Sequence, residues 1–495
     1  MQLFQFDHSF LALGEAFYRH CAPTPVAAPE LIAFNSALAA ELGLLEANSS
    51  PDQNVLAQMF SGNQLPAGAQ PIATVYAGHQ FGGFNPQLGD GRAILLGEVV
   101  DQQGQRRDIQ LKGAGRTPYS RGGDGRSPLG PVLREYLISE AMHALGIPTT
   151  RALAAVSSGE AVQREQALPG AILTRVAASH IRVGSFQFFA ARGEVEHLRA
   201  LADYVIARHY PSVQSSHANP YLGLLEQVVQ RQAALVAQWM SVGFIHGVMN
   251  TDNVLVSGET VDYGPCAFID EYHPESVFSA IDKKGRYAYQ MQPAIVQWNM
   301  ARFAETLLPL LSDNEETAVA LATEVVRSVQ PLYEQAWLAR MRAKVGLYSE
   351  QPEDRSLLED LFIAMDSNDV DFTLFFRNLC TAVAEPLQAH GCAQLFANPQ
   401  AWFDWAERWA ARLALEPNTN SQERTQRMRA ANPAVIARNH RVQQALDKAT
   451  LSADFDEFHR LRRILAEPFH DHPADADWLA PPAQEEVVQN TFCGT

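Results

Sequence analysis

The stretch HGVMNTDNVLVSGETVDYGPCAF, residues 246–268, brings two carboxylates and a carboxamide close together in the chain. Asp252 and Asn253 are adjacent, and Asp262 follows Asn253 by nine residues. Amide and carboxylate oxygens are hard ligands that suit Mg²⁺ or Mn²⁺ when the ion is shared with phosphate oxygens. We therefore predict that Asn253 and Asp262 bind a divalent metal, and that Asp252, which points elsewhere, accepts the proton of an attacking hydroxyl.

Two short β-like segments, NVLV and VDYG, flank the turn SGET inside this stretch. A strand-turn-strand there would bring Asn253 and Asp262 to one end of a small hairpin. Asp and Asn are also common in turns that bind nothing, because their side chains bond to nearby backbone groups. The metal prediction therefore depends on what the rest of the chain offers to a phosphate.

A cation suited to phosphate, Lys112, ends the alternating segment RRDIQLK. A partner carboxylate would orient this lysine, and the helix that follows offers Glu135 and Glu140. Helical periodicity favours Glu140, because it lies in the middle of the apolar stripe, where only a paired carboxylate should remain. The alternative for Lys112 is a strand-end lysine whose charged head reaches solvent.

The elements that would position these groups alternate between glycine-rich loops and regular structure. Residues 76–92 are rich in glycine, and AILLGEVV, DQQGQ and RRDIQLK predict a strand, a turn and a strand. A second glycine-rich loop leads to a helix with Ser127 as N-cap and Pro128 at its first position. A strand follows at 171–177, and the chain is mainly helical from about residue 195. This order predicts an α+β fold with a small β-rich part beside a larger helical part.

The bulk composition limits the classes of function. The chain has 495 residues, of which 47% are hydrophobic, so a large core can form. A net charge of −17 argues against a general nucleic-acid binder, because a phosphate backbone is met with cationic surface. We find neither an apolar run of about 20 residues nor a secretory signal, and five widely spaced cysteines fit a reducing compartment. We therefore expect a cytoplasmic protein with no membrane or nucleic-acid partner.

Several long strings between Tyr76 and His440 resemble the selenoprotein O family, which is called the YdiU family in bacteria. The resemblance is carried by YAGHQFGGFNPQLGDGRA, QLKGAGRTPYSRGGDGRS, LREYLISEAM, LTRVAASHIRVGSF, HGVMNTDNVLVSGETVDYGPCAFID, GRYAYQMQP and NPAVIARNH. Within them, HGVMNTDN resembles the catalytic loop H-R-D-x-x-x-x-N of protein kinases, and DYG resembles D-F-G. Val248 stands where a kinase has its catalytic Asp, and this departure weighs against an ordinary kinase.

The resemblance implies a protein-kinase-like two-lobed fold, with a small β-rich N-lobe, a larger helical C-lobe and helical extensions at both ends. Residues 1–70 would form the N-terminal extension and 71–190 the N-lobe with its nucleotide loops. Residues 191–345 would form the C-lobe with the catalytic and metal loop, and 346–495 a helical extension and tail.

The family resemblance also implies an activity: transfer of AMP from ATP to Ser, Thr or Tyr hydroxyls of proteins, with ATP flipped relative to ordinary kinases. It implies that Lys112 contacts phosphate and pairs with Glu135, against the periodicity that favours Glu140. The nucleotide site would further include Gly89, Gly91, Arg92, Asp124, Gly125 and Asp262. Arg175 and Arg182 would hold the outer phosphates, since guanidinium groups can grip pyrophosphate oxygens bidentately.

The family carries cysteine, or selenocysteine in many eukaryotic members, at the position of Cys493, and has been linked to redox control. The nearest candidate partner here is Cys266, four residues after Asp262. Three other activities stay open from the sequence. They are transfer of UMP from UTP, a divergent kinase acting on protein or a small molecule, and an inactive nucleotide-binding pseudokinase scaffold.

Overall fold

A computed structural model describes residues 4–45, 51–417 and 420–492. The strands are concentrated in the N-terminal part and most of the helices follow them, so the fold is mixed α+β. The strands are β1 (Tyr18–His20), β2 (Glu30–Phe34), β3 (Ile72–Thr74), β4 (Gly78–Gln80), β5 (Gly83–Asn85), β6 (Ala93–Val100), β7 (Arg106–Lys112), β8 (Ser127–Pro128), β9 (Arg151–Gln163), β10 (Ala167–Ala177), β11 (Phe244–Ile245) and β12 (Ala267–Phe268).

Three helices are interspersed among the first ten strands, and the others follow toward the C-terminus. They are α1 (Ser36–Glu41), α2 (Gln53–Phe60), α3 (Leu129–Ala144), α4 (Val183–Ala190), α5 (Val195–His209), α6 (Val213–Ser216), α7 (Pro220–Ser241), α8 (Gln292–Leu311), α9 (Glu315–Arg327), α10 (Val329–Lys344), α11 (Asp354–Asp366), α12 (Phe372–Ala382), α13 (His390–Ala393), α14 (Pro399–Leu413), α15 (Ser421–Ala431), α16 (Asn439–Ser452), α17 (Asp456–Leu465) and α18 (Ala476–Leu479). Among the described residues, none of these helices is both long and apolar enough to cross a membrane.

One antiparallel sheet carries the N-terminal part of the site. Its strand order is β1-β3-β6-β7-β10-β9-β2, and β8 pairs with β10. Both faces are buried: Leu95 of β6 packs in the core that includes α3, whereas Ile94 and Leu96 pack in the core that includes α2. The predicted hairpin is confirmed as β6 and β7, and it sets Lys112 opposite Ala93 at the end of the pair.

The prediction of a helical N-terminal extension is wrong in part. Strands β1 and β2 lie within residues 1–70 and form the two edges of the sheet, where β1 pairs with β3 and β2 with β9. These strands are only three and five residues long, so their pattern is weak. They form because partners distant in sequence supply the hydrogen bonds.

Helix α3 begins one residue later than predicted. Ser127 and Pro128 are paired with β10, so Pro128 is the N-cap and Leu129 the first helical residue. The long helix α7 follows the expected rules, because the Asn219 side chain accepts from two backbone N–H groups and Pro220 occupies the first position. It leads the chain into the stretch that holds the predicted metal ligands.

The C-terminal helices are packed against the sheet-rich part as well as against one another. Helices α16 and α17 return to α3, where Phe458 meets Tyr136 edge to face with ring centroids 5.8 Å apart. The last described residues are also attached to the rest of the protein: the backbone N–H of Thr491 donates to the Phe278 carbonyl at 2.7 Å. The C-terminal third therefore supports the helix that follows the glycine-rich loops.

Candidate nucleotide site

A cavity of about 490 Å³ lies where the end of β7, helix α3 and the 248–264 loop meet. It is large enough for a nucleotide-sized ligand. Among the described residues, the predicted site residues that line it are Gly89, Gly91, Arg92, Lys112, Glu135, Arg182, Asp252, Asn253 and Asp262. The fold therefore brings most of the predicted set to one place, from segments more than 170 residues apart in the sequence.

The loop that carries the acidic residues is built differently from its prediction. The segments NVLV and VDYG do not form a hairpin; the strands here are β11 and β12, and residues 251–253 form a 3₁₀ turn. Asp262 has a φ of 65°, a left-handed conformation that an extended strand does not allow. His246 is structural, because its Nε2 lies 2.9 Å from the Val261 carbonyl oxygen and fixes the approach to Asp262.

Lys112 lies between two carboxylates. Its Nζ donates to Glu135 Oε2 at 2.6 Å and to Asp262 Oδ1 at 2.9 Å. The periodicity argument for Glu140 is wrong, because that carboxylate accepts from Arg151 Nε at 2.8 Å and lies in a different pocket. Glu140 is partly buried and is indeed paired, but its partner is an arginine on β9.

Arg175 lies behind this pair and does not line the cavity. Its side chain is 2% exposed, with Nε 2.7 Å from Glu135 Oε1 and Nη2 2.7 Å from Asp262 Oδ1. A guanidinium that bridges two carboxylates fixes both of them. In this arrangement Arg175 positions Glu135 and Asp262, and its predicted contact with phosphate stays a prediction.

Arg182, in contrast, does line the cavity. Its Nη1 donates to Asp262 Oδ2 at 3.2 Å, and its guanidinium lies 4.7 Å from the centre of the Tyr76 ring. The carbonyl of Asp252 accepts a further hydrogen bond from the same nitrogen. Arg182 is therefore held rigidly with one face toward the space that a phosphate would occupy.

The charges around Asp262 keep it ionised. Burial would raise the pKa of this carboxyl, but Lys112, Arg175 and Arg182 together hold it well below its usual range. Asn253 donates its amide N–H to the Val248 carbonyl at 3.1 Å. The atoms that remain for a cation are the amide oxygen of Asn253 and the ionised carboxylate of Asp262, a donor set that fits Mg²⁺ or Mn²⁺.

Asp252 has the opposite electrostatic environment. Burial raises its pKa to about 6, against the lowering effect of Arg182 and of a hydrogen bond from Gln80. That bond joins Gln80 Nε2 and Asp252 Oδ2 at 3.1 Å. A carboxylate with a pKa near ambient pH is suited to accept a proton from a substrate. Gln80 was not singled out from the sequence, because a glutamine in a glycine-rich string carries no chemical signature.

A family model described as Protein adenylyltransferase SelO matches residues 1–466 of the chain. The chain belongs to the SelO family. A relative from Rhizobium meliloti (strain 1021), named Protein nucleotidyltransferase YdiU, is 56% identical over 495 residues that cover 100% of both proteins. A relative with the same name from Agrobacterium fabrum (strain C58 / ATCC 33970) is 54% identical over 496 residues, again covering 100% of both. This SelO-family protein is therefore a nucleotidyltransferase enzyme.

Two residues that the SelO resemblance assigned to the nucleotide lie away from the cavity. Asp124 pairs with Arg164 at 2.9 Å, and Gly125 packs so closely on the first residues of its own loop that an added Cβ would lie 2.0 Å from the Gly115 carbonyl oxygen. Gly89 lines the cavity, but there an added Cβ would lie 2.5 Å from the Tyr119 ring. These glycines are required at least for loop packing, and their contact with nucleotide stays a prediction.

The cysteine hypothesis lies partly outside the described residues, since these end at Phe492 and Cys493 follows. Cys266 is fully buried, and burial raises the pKa of its thiol to about 11, so it is not a reactive thiolate in this arrangement. The Thr491 hydroxyl donates to the Pro265 carbonyl at 2.6 Å, which brings the described end of the tail beside Cys266.

A second group of potential ligands is separate from this site. Ligand atoms of Glu271, His273 and Asp369 lie within 4.8 Å of one another. None of the three lines the 490 Å³ cavity. This group is distinct from the predicted metal ligands, Asn253 and Asp262, which line the cavity.

Proposed function

We propose that this SelO-family enzyme transfers AMP from ATP to Ser, Thr or Tyr hydroxyls of proteins and releases pyrophosphate. The observation that carries the proposal is the common cavity of Lys112, Arg182 and Asp262 with the buried carboxylate of Asp252. Cations for a polyphosphate and a proton acceptor for a hydroxyl thus face the same space. The family description names the same class of reaction.

The proposed metal would bind between Asn253 and Asp262. Within the described residues, Oδ2 of Asp262 accepts from Arg182 alone, so a lone pair remains for a cation. A bound Mg²⁺ or Mn²⁺ would neutralise charge on the phosphate oxygens. Lys112 and Arg182 would orient the triphosphate and stabilise the charge that develops on pyrophosphate as it leaves. We place ATP in the flipped orientation that the family resemblance implies.

Asp252 is the proposed base for the acceptor hydroxyl. Its carboxylate would take the proton while the hydroxyl oxygen attacks the α-phosphorus and the bond to pyrophosphate breaks. Val248, at the kinase base position, offers only an apolar side chain to the cavity. Transfer of the γ-phosphoryl group by the kinase arrangement therefore lacks its usual base.

One labelling experiment tests the proposal. The enzyme is incubated with a mixture of acceptor proteins, Mg²⁺ or Mn²⁺, and ATP labelled at either the α- or the γ-phosphate. We expect protein to retain the α label and not the γ label. Retention of the γ label would indicate a kinase, and no retention would indicate a scaffold. A parallel reaction with α-labelled UTP measures whether UMP is transferred instead.

A further inference from the structure

The turn between β4 and β5 is fixed beside the proposed base. The backbone N–H of Phe81 donates to Asn250 Oδ1 at 3.0 Å, and Gln80 donates to Asp252 at 3.1 Å. These two hydrogen bonds hold the turn against the loop that carries Asn250 and Asp252. Gln80 and Phe81 line the same cavity as Asp252, so a protein hydroxyl that reaches Asp252 would lie near this turn.

Large apolar side chains are exposed at the same entrance. Phe81 is 37% exposed, Phe84 43% and Ile281 61%, and both Phe81 and Ile281 line the cavity. Phe81 is also held in place by an edge contact with Tyr287, with ring centroids 5.1 Å apart. Rigid aromatic groups of this kind are typical anchors for a bound polypeptide.

Two of the few lysines in the chain lie close to the cavity entrance. The chain has five lysines, and two of them, Lys283 and Lys284, are adjacent, exposed and two to three residues beyond Ile281. Neither forms an ion pair with a carboxylate among the described residues, and the other three lysines lie in other environments. Those are Lys112 in the cavity, Lys344 in the core and Lys448 paired with Glu457.

Two arginines extend this positive charge. Arg121 is exposed and lines the cavity. Arg286 lies 4.7 Å from the centre of the Trp298 ring. The carboxylate within the same segment, Asp282, is buried and accepts from the backbone N–H groups of Arg286 and Tyr287. The entrance is therefore cationic on a chain whose net charge is −17.

We propose that this entrance is the docking surface for the acceptor protein, and that it selects an extended segment with acidic residues beside the acceptor hydroxyl. We call it the acceptor surface, and it consists of Phe81, Phe84, Arg121, Ile281, Lys283, Lys284 and Arg286. The inference rests on the proposed function. The aromatic side chains would pack on the segment, and the cations would meet its carboxylates.

The test uses two synthetic peptides that differ only in charge. Each has one serine, flanked on both sides by two aspartates in the first peptide and by two lysines in the second. We expect the full-length enzyme to transfer AMP to the aspartate peptide with a kcat/KM about tenfold higher, because several exposed ion pairs contribute together. The preference should shrink at high ionic strength.

A double variant, Lys283→Glu with Lys284→Glu, should reduce the preference to less than about twofold and leave the KM for ATP unaltered. The matched control, Arg327→Glu with Lys448→Glu, makes the same change in charge at exposed positions away from the cavity and should keep the preference. Thermal unfolding of each variant checks that the fold is kept.

The outcomes separate the two proposals. Transfer to both peptides at equal rates would overturn the acceptor surface and leave AMP transfer standing. A raised KM for ATP in the double variant, with the peptide preference intact, would also overturn it, because the lysines would then serve the nucleotide. Absence of AMP transfer to these peptides and to a mixture of proteins would overturn the proposed function and this inference together.

Discussion

Glu135 and Glu140 provide a sharp test of the site, because one helix carries both and only one contacts the cavity. In Glu135→Gln, the side chain keeps its shape and loses its charge. Lys112 then keeps only Asp262 as a charged partner, and the buried Arg175 loses one of its two carboxylates. In Glu140→Gln, the lost partner is Arg151, outside the cavity.

The magnitude follows from these bonds. A hydrogen bond to a charged group contributes about 1.5–3 kcal/mol, which corresponds to about a 10- to 150-fold loss of kcat/KM if Lys112 is misaligned in the transition state. The loss of a partner in a buried ion cluster should also lower the free energy of unfolding of Glu135→Gln by about 3 kcal/mol. Glu140→Gln should lose about 1–2 kcal/mol of stability and keep its activity within about twofold.

The assay is transfer of label from α-labelled ATP to protein at several ATP concentrations, with thermal unfolding measured in parallel. We expect both variants to be less stable and only Glu135→Gln to be slow. Equal losses of kcat/KM in the two variants would refute the reasoning, because activity would then follow the stability of α3 and not the position of Lys112. Full activity in Glu135→Gln would refute it equally.

Three further predictions concern single groups. Because Asp252 must be ionised to accept a proton and its pKa is about 6, kcat should fall as the pH falls below about 6. The variant Asp252→Asn should lose about 100-fold in kcat and still bind nucleotide. Its pH–rate profile should lack the decrease in kcat at acidic pH. Asp262→Ala should abolish metal-dependent binding of ATP, which titration calorimetry with and without Mg²⁺ would measure; undiminished binding would remove the metal assignment. Burial lowers the pKa of Lys344 from 10.5 to about 7, so between these pH values the unfolded chain holds a proton that the folded chain lacks, and the free energy of unfolding should rise with pH. Lys344→Met should raise the free energy of unfolding at pH 7 by about 2 kcal/mol and flatten its rise with pH in denaturant titrations. A destabilised variant would contradict this prediction.

Residue type and spacing predicted polar groups that the fold brings to one cavity. Lys112, Asn253 and Asp262 have the chemistry that a metal-bound polyphosphate needs, and all three line one cavity. Their local structure was harder to predict. The segments beside Asn253 and Asp262 have β-like composition, yet Asp262 adopts a left-handed conformation with three cations around its carboxylate. Those cations come from distant segments of the chain, which local composition does not reveal.

The choice between Glu135 and Glu140 failed for a different reason. Helix α3 is buried on several sides, so even Arg134 and Glu135 are buried, and the centre of its apolar stripe does not mark the cavity. Glu140 forms an ion pair with Arg151, which lies on strand β9. The periodicity of α3 gives no information about that partner. Strands β1 and β2 were missed because such short edge strands depend on partners far along the chain.

The return of α16 and α17 to α3 has a consequence for biosynthesis. The helix that carries Glu135 lacks part of its packing surface until Leu465 has been made, 330 residues later. At about 5–20 residues per second, a ribosome needs roughly 15–65 seconds for that length. The nascent chain therefore carries α3 with an incomplete packing surface for at least that time after Glu135 has been made.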